Sequence, residues 1–166
     1  EANTTGSQNT AFGDQALSSC TTASGMTAVG RNALGSITDA TNCVAIGENA
    51  GDAMSSGDSL VAVGRNCLTS VTTGTNNTAM GTNAGLNVTT GGSNVFIGHY
   101  TAMVGPTTGS NNVYVGSNAG YQATGNNNVC LGQGSNPSAN DSNNEITLGN
   151  TSHSSLRCND TSISSL

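Results

Sequence analysis

Residues 42–51 read NCVAIGENAG, and one period later residues 59–68 read SLVAVGRNCL. The same pattern, a three-residue run closed by glycine and followed by a polar turn, recurs along the chain as NTAFG, MTAVG, CVAIG, LVAVG, NTAMG, NVFIG, NVYVG, NVCLG and EITLG. The closing glycines are Gly13, Gly30, Gly47, Gly64, Gly81, Gly98, Gly116, Gly132 and Gly149. They lie 17 residues apart, except for one step of 18 that the following step of 16 cancels. Self-similarity at a short fixed period marks a solenoid whose units stack on one another. The expected fold is all-β, a parallel β-roll with 17-residue coils spaced about 4.8 Å apart.

Each column of the repeat has its own chemistry. One residue before the glycine stand Phe12, Val29, Ile46, Val63, Met80, Ile97, Val115, Leu131 and Leu148. Two residues further back stand Thr10, Thr27, Val44, Val61, Thr78, Val95, Val113, Val129 and Ile146. Strand side chains alternate, so these two columns share a face, and their apolar character assigns that face to the core. The alanine column between them (Ala11, Ala28, Ala45, Ala62 and Ala79) then points outward, where small side chains admit a second wall or chain. A second short strand is expected after the glycine, around Ala16, Ala33, Ala50 and Cys67. Gly57, Gly74, Gly91, Gly109 and Gly125, with the Asn pairs that follow, mark the turns. On this reading each coil buries only two or three modest side chains, and neighbouring chains must complete the core across the alanine columns.

Composition narrows the function. Leu, Ile, Val and Phe make up only 27 of 166 residues, a level typical of disorder, yet only 7% of residues are charged and the net charge is −6. The polarity comes from Asn, Thr, Ser and Gly, which suit turns and stacked ladders. There is no Lys, and Arg31, Arg65 and Arg157 cannot track a phosphate backbone, which argues against nucleic acid as a partner. No apolar run is long enough for a membrane span. Five cysteines (Cys20, Cys43, Cys67, Cys130 and Cys158) lack the spacing of a zinc site or a disulfide framework and read as free thiols. Asp14, Arg31, Glu48 and Arg65, each just after a closing glycine, should form a vertical ladder of alternating charge.

The unit NxVAIGxNAG resembles the head repeats of trimeric autotransporter adhesins and the similar repeats of phage and virus tail fibres. The resemblance spans nearly all of residues 1–150 and implies a left-handed parallel β-roll that assembles as a homotrimer. Residues 143–166, NNEITLGNTSHSSLRCNDTSISSL, resemble the stretch that precedes the self-cleaving intramolecular chaperone of tailspikes and fibres. The division expected is therefore β-roll repeats over 1–142, about eight coils, and a C-terminal cap or tip over 143–166 preceding a removed chaperone domain. The function implied is a structural and host-recognition segment of a virion tail fibre, binding a host cell-surface glycan or protein. A bacterial adhesin head on the cell surface and a polysaccharide-degrading tailspike are the alternatives.

Nothing in the sequence converges as catalytic groups do. The acids are scattered through the repeat, with Asp39 and Asp141 in a turn column that suggests local caps. His99 and His153 lack ligand-spaced partners, although one His per chain on a three-fold axis could hold a metal. No cofactor is implied. A flat Thr ladder would suit ice binding, but valines interrupt the Thr column. The aromatic residues stand out: Phe96 and Tyr114 replace alanine, Tyr100 replaces the asparagine two residues after the glycine, and Tyr121 follows Gly120. Two readings remain open for these four, that they fill an interface between chains or that they form an exposed patch for stacking sugar rings.

Overall fold

The computed structural model describes residues 3–104 and 108–152. Nine three-residue strands follow one another: β1 (Thr10–Phe12), β2 (Thr27–Val29), β3 (Val44–Ile46), β4 (Val61–Val63), β5 (Thr78–Met80), β6 (Val95–Ile97), β7 (Val113–Val115), β8 (Val129–Leu131) and β9 (Ile146–Leu148). They form one parallel sheet in sequence order. Each residue pairs with its equivalent one repeat later, as Val44 with Val61, Ala45 with Ala62 and Ile46 with Val63. The chain is thus a β-solenoid of about eight turns. The irregular steps leave the register intact, because Val95 pairs with Val113 and Val113 with Val129. The irregular steps therefore fall outside the strands. β9 lies within the segment expected to be a separate tip, and it continues the sheet by pairing with β8. The rest of that segment, including His153, Arg157 and Cys158, lies outside the described residues.

The strand faces are the reverse of the expectation. Ala28, Ala45, Ala62 and Ala79 are fully buried, and Phe96, Tyr114 and Cys130 continue their column into the core. The flanking valine and isoleucine columns point away from it, with Ile46 41% and Met80 46% exposed. The cause lies in the opposite wall, where the turns send large side chains inward: Leu34, Ile37, Met54, Leu60, Leu68, Val71 and Val88 are all fully buried. The interior of a roll only one strand wide is narrow, and with large side chains entering from the turns the strand supplies the small one. Where the strand residue is large, the turn residue shrinks. A Cβ at Gly85 would lie 2.6 Å from Leu68 Cδ2 and 3.0 Å from Phe96 Cδ2, and one at Gly120 would lie 2.2 Å from Tyr114 Cδ2. Each coil therefore buries more apolar volume than the strand columns alone suggested, and a poor core is not the reason for a second chain.

The expected second strand does not form. After each closing glycine the backbone makes successive tight turns, as where Ala33 N donates to Gly30 O (3.3 Å), Gly35 N to Asn32 O (3.2 Å) and Ile37 N to Leu34 O (3.3 Å). Alternate residues in this stretch are left-handed, with φ 58° at Asn32 and 50° at Leu34. The amides between those turn bonds are thereby free to bond to the next coil, Leu34 N to Ala50 O (3.0 Å) and Ser36 N to Asp52 O (3.1 Å).

Side-chain ladders complete the stacking. Hydroxyls of Thr21, Thr38, Ser55 and Thr72 each donate to the carbonyl one repeat later, at 3.0, 3.1, 3.2 and 3.3 Å. Inside the roll, Met26, Cys43 and Leu60 give way down their column to buried Asn77, Asn94, Asn112 and Asn128. Each of these amides donates to a turn carbonyl of the next coil, Asn77 to Gly91 (2.8 Å) and Asn94 to Gly109 (3.0 Å), and Asn94 Oδ1 accepts from Asn112 N at 2.9 Å. The side chains of these four asparagines are all paired, so asparagine is tolerated one coil after leucine.

Candidate functional site

The apolar strand face is the most extended surface feature. Its two columns run the length of the sheet, about 38 Å for eight coil spacings. They present Ile46, Met80, Ile97 and Leu131, each between 38% and 46% exposed, alternating with half-buried valines. Side chains this apolar, repeated in line and interrupted only by Thr10, Thr27 and Thr78 on an otherwise largely polar surface, make this face the candidate interaction surface.

Beside it runs the charge ladder. Arg31 Nη2 donates to Glu48 Oε1, and Arg65 Nε lies 3.5 Å from Glu48 Oε2. Asp14 forms no ion pair among the described residues. The Arg31 hydrogen bond, and then its charge, hold the Glu48 carboxyl below its ordinary value. Asp52, partly buried, is raised by desolvation despite the charge of Arg31. These groups fix register on an exposed surface and bring little net energy.

The four aromatic residues divide into two pairs. Phe96 and Tyr114 are 2% and 1% exposed, with ring centroids 5.6 Å apart inside the roll. Neither can stack a sugar or meet another chain, so both open readings fail for this pair. Burial pushes the Tyr114 phenol up to about 12; the Asn128 amide counters this slightly without reaching hydrogen-bond geometry. The Tyr114 hydroxyl is the one buried side-chain polar atom without a partner among the described residues. Tyr100 and Tyr121 are half-exposed and lie in adjacent coils. Tyr121 O accepts from Val104 N (2.8 Å), and its column carries the half-buried Leu86 and Met103. The Tyr100 ring packs on His99, centroids 3.8 Å apart.

Tyr100 stands in a second amide ladder, two residues after each closing glycine. Asn32 Nδ2 donates to Asn49 Oδ1 (3.1 Å), Asn49 to Asn66 (3.0 Å) and Asn66 to Asn83 (3.2 Å). The ladder stops at Tyr100. Asn83 and Asn118, the layers on either side, were not singled out from the sequence, although the interrupted asparagine column was the available signal.

Cys20, Cys43, Cys67 and Cys130 are buried free thiols. Burial pushes Cys67 up to about 12 and Cys130 up to about 11. They behave as small apolar core residues. Asp58 bridges two coils, accepting from Thr41 N at 2.7 Å, and no side-chain hydrogen bond makes Asp39 or Asp141 a turn cap among the described residues. Ser138 N and Oγ hold the Glu145 carboxylate at 2.7 and 2.6 Å, and the Ser138 hydrogen bonds lower its pKa. Among the described residues no group of three His, Cys, Asp or Glu could hold a metal, and no helix is long and apolar enough to cross a membrane. An open depression of about 460 Å³ beside Thr147, Leu148 and Asn150 has no ionisable group in its lining.

Set against models of known families, curated proteins and solved structures, the chain matches none of them.

Proposed function

We propose that this chain is a structural and host-recognition segment of a trimeric viral tail fibre or tailspike, and that three copies associate through the exposed valine and isoleucine columns of β1–β9. The observation that carries this is the apolar strand face, which the solenoid places outside its own core along the whole sheet. A polar chain with only three basic residues has no use for such a face in water, whereas identical copies stacked coil for coil bury it continuously. The interface thus lies on the columns first assigned to the core, and the alanines first assigned to the interface fill the core.

The repeat pattern, similar to tail-fibre and adhesin-head units, supports a rod that displays a recognition surface on its remaining sides. Sedimentation equilibrium of the purified chain tests the assembly: a mass of three chains is expected, and a compact monomer at micromolar concentration overturns the proposal.

A further inference from the structure

We infer that Tyr100, flanked by Asn83 and Asn118, is a binding site for a neutral glycan on the side of the rod. This rests on the reading of the chain as a recognition segment and assigns it a place and a ligand class.

The case begins with a substitution that works against the fold. At Tyr100 the backbone has φ 57°, as at Asn66 and Asn83 with 52° and 59°. Asparagine accepts that conformation cheaply and a bulky aromatic does not. Tyrosine here also breaks the amide ladder. Left-handed leucines at Leu17, Leu34 and Leu68 face the core, where packing supports them, whereas Tyr100 is half-exposed, so its departure from the asparagine of its column has no packing reason and points to function.

The neighbouring layers supply hydrogen-bonding capacity. Asn83 receives a bond from Asn66, but its own Nδ2 donates to nothing among the described residues. The Asn118 side chain makes no hydrogen bond there at all, although Asn118 N is fixed by His99 O at 2.9 Å and Tyr100 N by Thr82 O at 3.1 Å. Both amides reach solvent, since among the described residues the one buried side-chain polar atom without a partner belongs to Tyr114. Two free amides thus stand one layer above and one layer below an aromatic ring, roughly 10 Å apart, about the reach of a disaccharide. The ring is braced by His99. A pyranose needs these elements: an apolar face to lie against, and fixed amides that both donate to and accept from its hydroxyls.

Charge selects a neutral ligand. The chain carries net −6 and no Lys, and Arg31 and Arg65 are both engaged by Glu48, two or more coils away. Among the described residues, a carboxylated or sulfated sugar would meet no arginine or lysine at Tyr100.

The test uses calorimetric titration of the full 166-residue chain with neutral hexasaccharides of glucose, mannose, galactose and N-acetylglucosamine, and with hexagalacturonate as the acidic control. Tyr100→Asn restores the amide ladder and suits the backbone, so its urea midpoint should equal or exceed that of the parent while affinity for the bound neutral sugar falls at least 10-fold. Tyr100→Phe keeps the ring and should stay within about 3-fold. Asn118→Gly, compatible with φ 57°, gives a second reading of the site and should weaken binding several-fold. Undiminished binding by Tyr100→Asn, a preference for hexagalacturonate, or no binding to any neutral sugar overturns the site. A trimer that binds no sugar removes this inference and leaves the fibre reading standing. A monomer removes the fibre reading, while the variant series still decides the site.

Discussion

Replacing Gly64 by alanine tests the stacking at its tightest point. Gly64 has φ 137°, a conformation essentially confined to glycine, and a Cβ built there would lie 2.5 Å from Gly81 O and 2.6 Å from Gly81 C. Both atoms belong to the backbone of the next coil, which cannot swing aside as a side chain can. The forbidden conformation costs ~1–3 kcal/mol, and forcing the layers apart costs a further ~1–3 kcal/mol. The expected destabilisation is therefore about 4 kcal/mol, a large share of the ~5–15 kcal/mol that holds a domain together. In a chain of this size it should lower the melting temperature by roughly 8–16 °C.

Gly132 separates the two contributions. Its φ is 113°, but the nearest atoms to a built Cβ are Gly149 Cα at 3.2 Å and Gly149 N at 3.4 Å, so Gly132→Ala should incur the conformational cost with little of the steric one. Urea unfolding at one fixed protein concentration, needed because an assembling chain gains stability by mass action, should place Gly64→Ala at least ~1 kcal/mol below Gly132→Ala. Equal losses, or a Gly64→Ala variant as stable as the parent, would show that the coils do not press on one another at this column.

Ile46→Asp should leave a folded chain but shift the sedimentation mass from trimer to monomer, whereas Ala45→Asp, one residue away, should prevent folding because it buries an unpaired charge. Asn94→Ala should cost ~2–5 kcal/mol in urea unfolding, since it orphans the buried Gly109 carbonyl and Asn112 amide. Stability should fall as pH rises from about 9 toward 12. The folded chain holds Cys67 and Tyr114 protonated to about 12 while the unfolded chain ionises from 9 and 10, so each group removes ~1.4 kcal/mol per pH unit within its window. Unfolding midpoints across that range check the sign. On the acid side, the lowered Glu48 pKa contributes stability that is present above its unfolded value and lost as pH falls through the folded one, so Glu48→Gln should flatten the acid limb.

The period was legible because each coil repeats the same requirement at the same place: the glycine column and its 17-residue spacing led directly to strand positions, parallel order and register. The facing of the strands was not legible from the strands alone. Val-Ala-Ile satisfies alternation equally well with either face inward, and apolar character pointed the wrong way because the chain carries two apolar surfaces, one inside and one outside. The missing information lay in the turns. Ile37, Met54, Val71 and Val88 also recur every 17 residues, and large inward turn residues leave space only for alanine on the strand. The aromatic cluster divided for the same reason: Phe96 and Tyr114 occupy the alanine column and follow it inward, while Tyr100 occupies the asparagine column and follows it outward.

The pairing of β6 with β7 and of β7 with β8, preserved through a long repeat and then a short one, bears on how such a rod changes over generations. Because every layer repeats the same alignment, length is quantised in single layers, and a turn can still take up one residue more or fewer without disturbing the strands. A duplication of one unit lengthens the rod by roughly 4.8 Å and leaves every other contact as it was. Reach and surface chemistry can therefore be altered independently, the first by adding layers and the second by exchanging one residue in an outward column, as Tyr100 exchanges with asparagine.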